Sequence, residues 1–284
     1  MTPMSPTGGP PRIFDRATQK ARLARAARLQ GDNFLQNEAL EGVKARLAPV
    51  NRAFATALAL DAYAAASLQG ADTKWRSARF DDDERLDAGG GYDLAVSVLG
   101  LHRLNDLPGA LLQIRRALKP DGLFVAALFG GSTLTELRDA FAQGELETAG
   151  GMSPRVAPMA DIRELGGLLQ RAGFALPVAD IERTTVRYRD FFTLVGDLRA
   201  MGETNALAAR KHFLSRATLA ASLAHYREKH SDSDGKLLAT FDIVYLLGWS
   251  PDASQQQPLR PGSAKTRLAD ALGVKEHKLE PGQD

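Results

Sequence analysis

Short, almost unbroken apolar runs alternate along this chain with segments whose apolar residues recur every three or four positions. That alternation predicts strands and helices in turn. FATALALDA (54–62) reads as a buried first strand ending at Asp61, and AYAAASLQGA after it as a small-residue helix stopped by Gly70. TKWRSARF (73–80) alternates weakly, as a second strand does, and YDLAVSVLGL (92–101) is a buried one. Leu107, Leu111, Ile114 and Leu118 then mark a helix opened by Asp106 and Pro108, with Arg115, Arg116 and Lys119 at its carboxyl end. The turn KPDG leads into GLFVAALFG (122–130), after which Thr133 and Glu136 have the spacing of a capping box.

Further along, the pattern predicts a helix over Asp161–Ala172 stopped by Gly173, a strand LPVADIERTTVRY (176–188), helices within 190–230 and a late strand ATFDIVYLLGW (239–249). Upstream, Leu35, Ala39, Val43 and Leu47 line one face of a helix that stops before Pro49. Strands and helices in alternation imply a doubly wound, largely parallel α/β sheet. Residues 1–11 read as a flexible Pro/Gly tail, 12–252 as the folded domain and 253–284 as a polar carboxyl-terminal tail.

Composition narrows the function classes. Thirty-six basic residues balance 34 acidic ones, which argues against a dedicated nucleic-acid binder. The chain has no cysteine, so thiolate chemistry and disulfides are excluded. No apolar run reaches the roughly 18 residues of a membrane span, and MTPMSPTGGPP lacks the apolar core of a secretory signal. The basic stretch Arg12–Arg28 has two readings: an amphipathic transit segment, or a solvated helix with Phe14, Ala17, Ala21 and Ala24 turned inward.

The candidate chemistry is sparse. Gly89–Gly91 precede a strand and do not open a helix, so they suit a surface turn better than a phosphate loop. The five histidines (His102, His212, His225, His230 and His277) form no H-x-x-x-H or H-E-x-x-H pair, and no metal site is expected. His102 lies just past the carboxyl end of a central strand, where open α/β sheets place ligands; a packing role is the alternative. GGSTLTELR (130–138) is either an anion-meeting helix start or a plain turn, and MGETNAL (201–207) either lines a pocket or links two helices. Arg155, Arg187 and Arg260 are read as solvated surface.

Over YDLAVSVLGLHRLNDLPGALLQIRRALKPDGLFVAALFGG the sequence resembles class I S-adenosylmethionine-dependent methyltransferases. GGSTLTELR, SPRVAP, LLQRAGF, MGETNA and GSAKTRLADAL extend the resemblance to one subfamily, the bacterial relatives of the methyltransferase-like factor that assembles respiratory complex I in mitochondria. The resemblance runs from IFDR near residue 13 to about residue 272. It implies a Rossmann-like sheet with its last strand antiparallel, a helical cap at 190–230, S-adenosylmethionine as cofactor and a protein substrate, a complex I subunit. It further implies that Asp61, Asp82 and Leu101 meet the cofactor and that His102, Ser132, Glu203 and Asn205 line the reaction chamber. The compartment implied is the bacterial cytoplasm or the mitochondrial matrix.

Three departures bear on that reading. The turn after the first strand, glycine-rich in the family, reads LALDAYAAAS (58–67). Only about thirty residues separate Asp61 from Tyr92, one βαβ unit's worth, so the cofactor half is shortened. Arg103 also replaces the aromatic residue usual after the histidine. Two functions follow as rivals: a protein-modifying methyltransferase, and a catalytically inactive assembly factor on the same fold. A nicotinamide oxidoreductase is disfavoured, since G-x-G-x-x-G is absent after the first strand.

Overall fold

The computed structural model describes residues 12–29, 31, 33–68, 72–209, 213–256 and 273. The expected tail at 1–11, the helix stop at Gly70, and His212, Arg260, His277 and GSAKTRLADAL lie outside the described residues. The chain divides into two compact units, 1–251 and 252–284. In the second, Asp252 accepts hydrogen bonds from the backbone N (2.9 Å) and Oγ (2.7 Å) of Ser254.

The first unit is built on one sheet of β1 (Thr56–Ala59), β2 (Lys74–Ser77), β3 (Tyr92–Val98), β4 (Leu118–Phe129), β5 (Ala175–Tyr188) and β6 (Leu237–Trp249), in the order β2-β1-β3-β4-β6-β5. β2, β1, β3 and β4 run parallel, and β6 runs antiparallel to both its neighbours β4 and β5. This is the predicted Rossmann-like sheet with its last strand antiparallel. Its shortened half shows as a sheet that ends at β2, among the described residues. β1 and β2 have four residues each, whereas β5 and β6 have 14 and 13.

The central strands are covered on both faces, which is why they read as unbroken apolar runs. On one face Leu94, Val96, Val125 and Ala127 join Leu35, Ala39 and Val43 of α2 (Phe34–Leu47). On the other, Ala95, Phe124, Ala126 and Leu128 join Leu111 and Ile114 of α4 (Leu107–Ala117) and Leu165 and Leu169 of α6 (Ile162–Arg171). Between them, α3 (Ala62–Ser67) is a short helix after β1 and α5 (Thr135–Ala149) follows β4. Asp106 caps α4 by accepting from Gly109 N at 2.8 Å, and Asp161 with Glu164 closes a capping box on α6. No described helix is long and apolar enough to cross a membrane.

Three local expectations are corrected. Leu118 is not the last turn of α4 but the first residue of β4, paired with Tyr92. KPDG is a bulge within that pairing, with Asp121 at φ +59°. Thr133 and Glu136 form no capping box. Thr133 Oγ1 exchanges hydrogen bonds with the backbone of Asp242, and Glu136 accepts from Thr240 N (3.0 Å) and its hydroxyl, so both residues staple the start of α5 to β6. In α1 (Arg16–Leu29), Ala17, Ala21 and Ala24 are exposed, while Gln19 is buried and Arg22 and Arg25 are half-buried. The inward side of α1 is polar because it packs on loop backbone: Gln19 Nε2 donates to Arg103 O at 2.7 Å, and Arg25 Nη2 to Thr204 Oγ1 at 3.0 Å.

Candidate functional site

Beyond the carboxyl ends of β3 and β4, a cavity of about 130 Å³ opens between the sheet, α1 and the segment after α7 (Phe191–Ala200). Phe14, Phe129, Leu137, Met159 and Phe241 give it apolar walls, Arg155, paired with Glu145, also lines it, and His102, Arg103 and Glu203 lie together on one side.

Each of those three residues is placed by a local backbone device. β3 is followed by a single 3-10 turn, Leu101–Arg103, which turns His102 toward Glu203 in the segment after α7. The His102 side chain is 2% exposed; its ring meets Phe129 edge-on at 5.1 Å and Nε2 lies 3.2 Å from Glu203 Oε2. α7 stops in a Schellman arrangement, with Gly202 at φ +77°, Gly202 N on Arg199 O and Glu203 N on Leu198 O. Glycine is required there, and the reversal it allows throws the next side chain, Glu203, back toward the sheet. Burial pushes the Glu203 carboxyl up, but the charges of Arg103 and His102 and the His102 hydrogen bond outweigh it and hold it below the usual range.

Arg103 is the residue around which the site closes. Its Nη2 donates to Leu99 O at 2.6 Å and its Nη1 stands 3.4 Å from Glu203 Oε1. That Nη1, like His102 Nδ1, is buried without a hydrogen-bond partner among the described residues. In this sheet the strand order reverses between β1 and β3, the crevice where open α/β folds take ligands. The Arg103 guanidinium occupies its β3 side.

The other expected residues are distributed differently. Asn205 lines the cavity, but its polar atoms are spent: Nδ2 donates to Pro154 O and Arg155 O, each at 3.0 Å, and Oδ1 accepts from Leu207 N. Ser132, expected on the chamber wall, lies outside it. Its Oγ accepts from Arg183 Nη2 at 3.0 Å, and Arg183 is paired with the buried Asp242; Thr133 takes the place on the wall. Leu101 is buried in the apolar layer with Leu111 and Ile114 of α4 and is not on this cavity's wall. Asp82 is exposed and salt-bridged to Lys20 at 2.6 Å. Its neighbour Glu84 is the buried acid of that loop: it accepts from Asn105 N, Asn105 Nδ2 and Asp106 N at 2.7–3.0 Å. Nothing in DDDE sets Glu84 apart in the sequence. Arg155, read as surface, pairs with buried Glu145 at 2.6 Å, while Arg187 is half-exposed and paired with Asp232 and Asp234.

Asp61 stands at the carboxyl end of β1, and its oxygens are engaged by the chain. Oδ1 accepts from Ala64 N at 2.8 Å, and Oδ2 from Val98 N at 2.7 Å and Ser97 Oγ at 3.0 Å. Burial pushes its carboxyl above the usual range, against those hydrogen bonds and the Arg103 charge.

Residues 18–177 match the model of a methyltransferase domain, and the chain belongs to that family. It is similar to the human mitochondrial protein named arginine-hydroxylase NDUFAF5, 44% identical over 192 residues that make up 68% of this chain and 55% of the relative. It is also similar to malonyl-[acyl-carrier protein] O-methyltransferase of Xylella fastidiosa, 37% identical over 165 residues, 58% of this chain and 54% of that one. The chain thus spans about half the length of the curated relatives it matches. Among solved structures, the YcgJ protein of Bacillus subtilis aligns with 75% of this chain and 99% of its own, at 11% identity and a TM-score of 0.47.

S-adenosylmethionine is the cofactor of this fold family. The residues at its expected place do not fit it. The β1–α3 turn has no glycine to let backbone approach a ligand, Asp61 is committed to the chain, and Arg103 is bonded to Leu99 O on the β3 side of the crevice. Nor does an acid end β2, and Asp82 faces Lys20 instead.

Proposed function

We propose that this methyltransferase-family protein binds a protein partner, a subunit of a respiratory complex I, as an assembly factor, and takes a cationic side chain of that partner into the cavity under the cap. The carrying observation is Glu203: a carboxylate held in its charged form at the side of an apolar cavity, with one hydrogen bond to His102 at 3.2 Å and a looser 3.4 Å contact to Arg103. A guanidinium entering the cavity would offer parallel, short, charge-assisted hydrogen bonds that Arg103 does not make. The name arginine-hydroxylase carried by the human relative supports arginine as the class of side chain. The closed β1–α3 turn supports binding over methyl transfer. On this reading the chain works in the cytoplasm of a bacterium, or in the matrix if it is mitochondrial.

Two measurements test it. Pull-down of complex I subunits on the full chain should recover one, and Glu203→Gln should weaken its binding by roughly tenfold or more, since a buried charge pair loses one partner. Recovery of no subunit, or undiminished binding by the variant, would overturn the reading. Calorimetry with S-adenosylmethionine should give no heat up to about 1 mM. Micromolar binding would return methyl transfer as the function.

A further inference from the structure

On the far side of α5 a second cluster of potential ligands comes together, and none of its members lines the cavity. Asp139 projects from α5, His225 from α8 (Arg216–Lys229), and His230 from the residue that caps α8. His225 Nε2 lies 2.9 Å and His230 Nε2 2.7 Å from the same oxygen, Asp139 Oδ2, and the three atoms fall within 4.8 Å of one another.

The sequence spacing conceals this arrangement. Residues five apart on one helix point in directions about 140° apart. His230, however, has left the helix, with φ −129° and ψ 30°, while its N still donates to Tyr226 O at 2.9 Å. The chain turns there toward β6, where Leu238 N donates to His230 O at 2.9 Å. The ring packs edge-on against Tyr226 at 5.9 Å and comes round to the side of His225.

The frame is also rigid. α5 and α8 approach so closely that a Cβ on Gly144 would sit 2.2 Å from Ser222 Oγ and 2.6 Å from Ser222 N. A turn away, the Thr148 and Thr218 hydroxyls meet at 2.8 Å. Ligands held on such a frame lose little freedom when an ion arrives.

We infer that Asp139, His225 and His230 form a binding site for a divalent transition-metal ion of the zinc class. Two imidazoles and a carboxylate are the nitrogen and oxygen donors such ions take, and a water completes a four-coordinate shell. Bonds of about 2.0–2.1 Å set tetrahedral ligand atoms about 3.3 Å apart, so each imidazole nitrogen needs to move from the shared oxygen by only about half an ångström. The ion replaces the two N–H···O contacts, each imidazole carrying its proton on Nδ1 instead. Exposures of 24%, 24% and 42% for the His225, His230 and Asp139 side chains leave a path for entry. Bound there, the ion clamps α5 to the end of α8.

The test is titration of tag-free, chelator-treated full-length protein with zinc chloride by calorimetry, with cobalt(II) absorbance as a second probe. The expected result is one equivalent bound at micromolar affinity or better, with a cobalt spectrum of nitrogen and oxygen ligation. His225→Gln and His230→Gln should each weaken binding by roughly tenfold or more, with an unchanged melting midpoint in chelator. Wild-type protein that takes up no zinc at about 100 μM overturns the proposal. So does binding that survives both substitutions unchanged, which would place the ion elsewhere. Should His225→Gln misfold, His230→Gln decides alone, since its position lies outside the helix.

Discussion

The two ends of the sheet have been treated in opposite ways. At the β2–β1 end the strands are four residues long, and the turn after β1 is closed by Asp61 bonding its own backbone. At the β6–β5 end the strands are three times longer and α5 is stapled to β6 through Thr133 and Glu136, and toward the middle of the sheet a cavity stays open with Phe129 of β4 and Phe241 of β6 in its wall. Between them, two buried carboxylates lie near Arg103. Asp61 is fully supplied with donors, whereas Glu203 makes one hydrogen bond to His102 and a longer contact to Arg103. A satisfied carboxylate serves the fold, and an under-supplied one is available to a ligand.

The comparison can be broken by substitutions at either end. The largest effect expected is from Phe241→Ala. This fully buried ring joins the β6 core to the cavity wall, and its loss should cost about 3–5 kcal/mol in denaturant unfolding and abolish partner binding. Glu203→Gln comes next, with binding weakened by roughly tenfold or more while the protein remains folded.

A sharper contrast lies in pH dependence. Glu203, held below its usual range, contributes stability above the unfolded value near pH 4.3. That contribution is lost as pH falls through the lower folded value. Asp61, pushed above its usual range, disfavours the folded state above its folded value. That cost lifts as pH falls through it toward about 3.9. In acid titrations of stability Glu203→Gln should therefore fall less steeply than wild type and Asp61→Asn more steeply. Slopes changing in the same sense would remove the distinction between the two carboxylates. The smallest effect is expected at the Lys20–Asp82 bridge: Asp82→Asn should shift neither the melting midpoint nor partner binding, because both side chains are in water.

Much of this was readable from residue patterns. The buried strands β3 and β4, the Asp106-capped α4 and the capping box of α6 follow from apolar runs and cap spacing, which act over a few residues. The missing glycines after β1 and the short interval to Tyr92 foretold a sheet ending at β2. The errors came where a polar side chain was spoken for by a distant element. Thr133 and Glu136 have cap spacing yet bond β6 more than 100 residues away, and the alanines of α1 face water because Gln19 had a carbonyl to reach.

The sequence by itself determined the family through its motifs, and the alternation of strands and helices and the weakness of the cofactor end through periodicity, caps and missing glycines, which are local properties of the chain. Only the tertiary structure decided which polar groups share a site. It brought Glu203 to His102 across 101 residues and His230 round to Asp139 through a helix cap, and it sent Ser132 and Asp82 elsewhere. The physical reason is that a buried polar group must find a partner wherever the fold supplies one. The supply is set by how elements pack and not by their order in the chain.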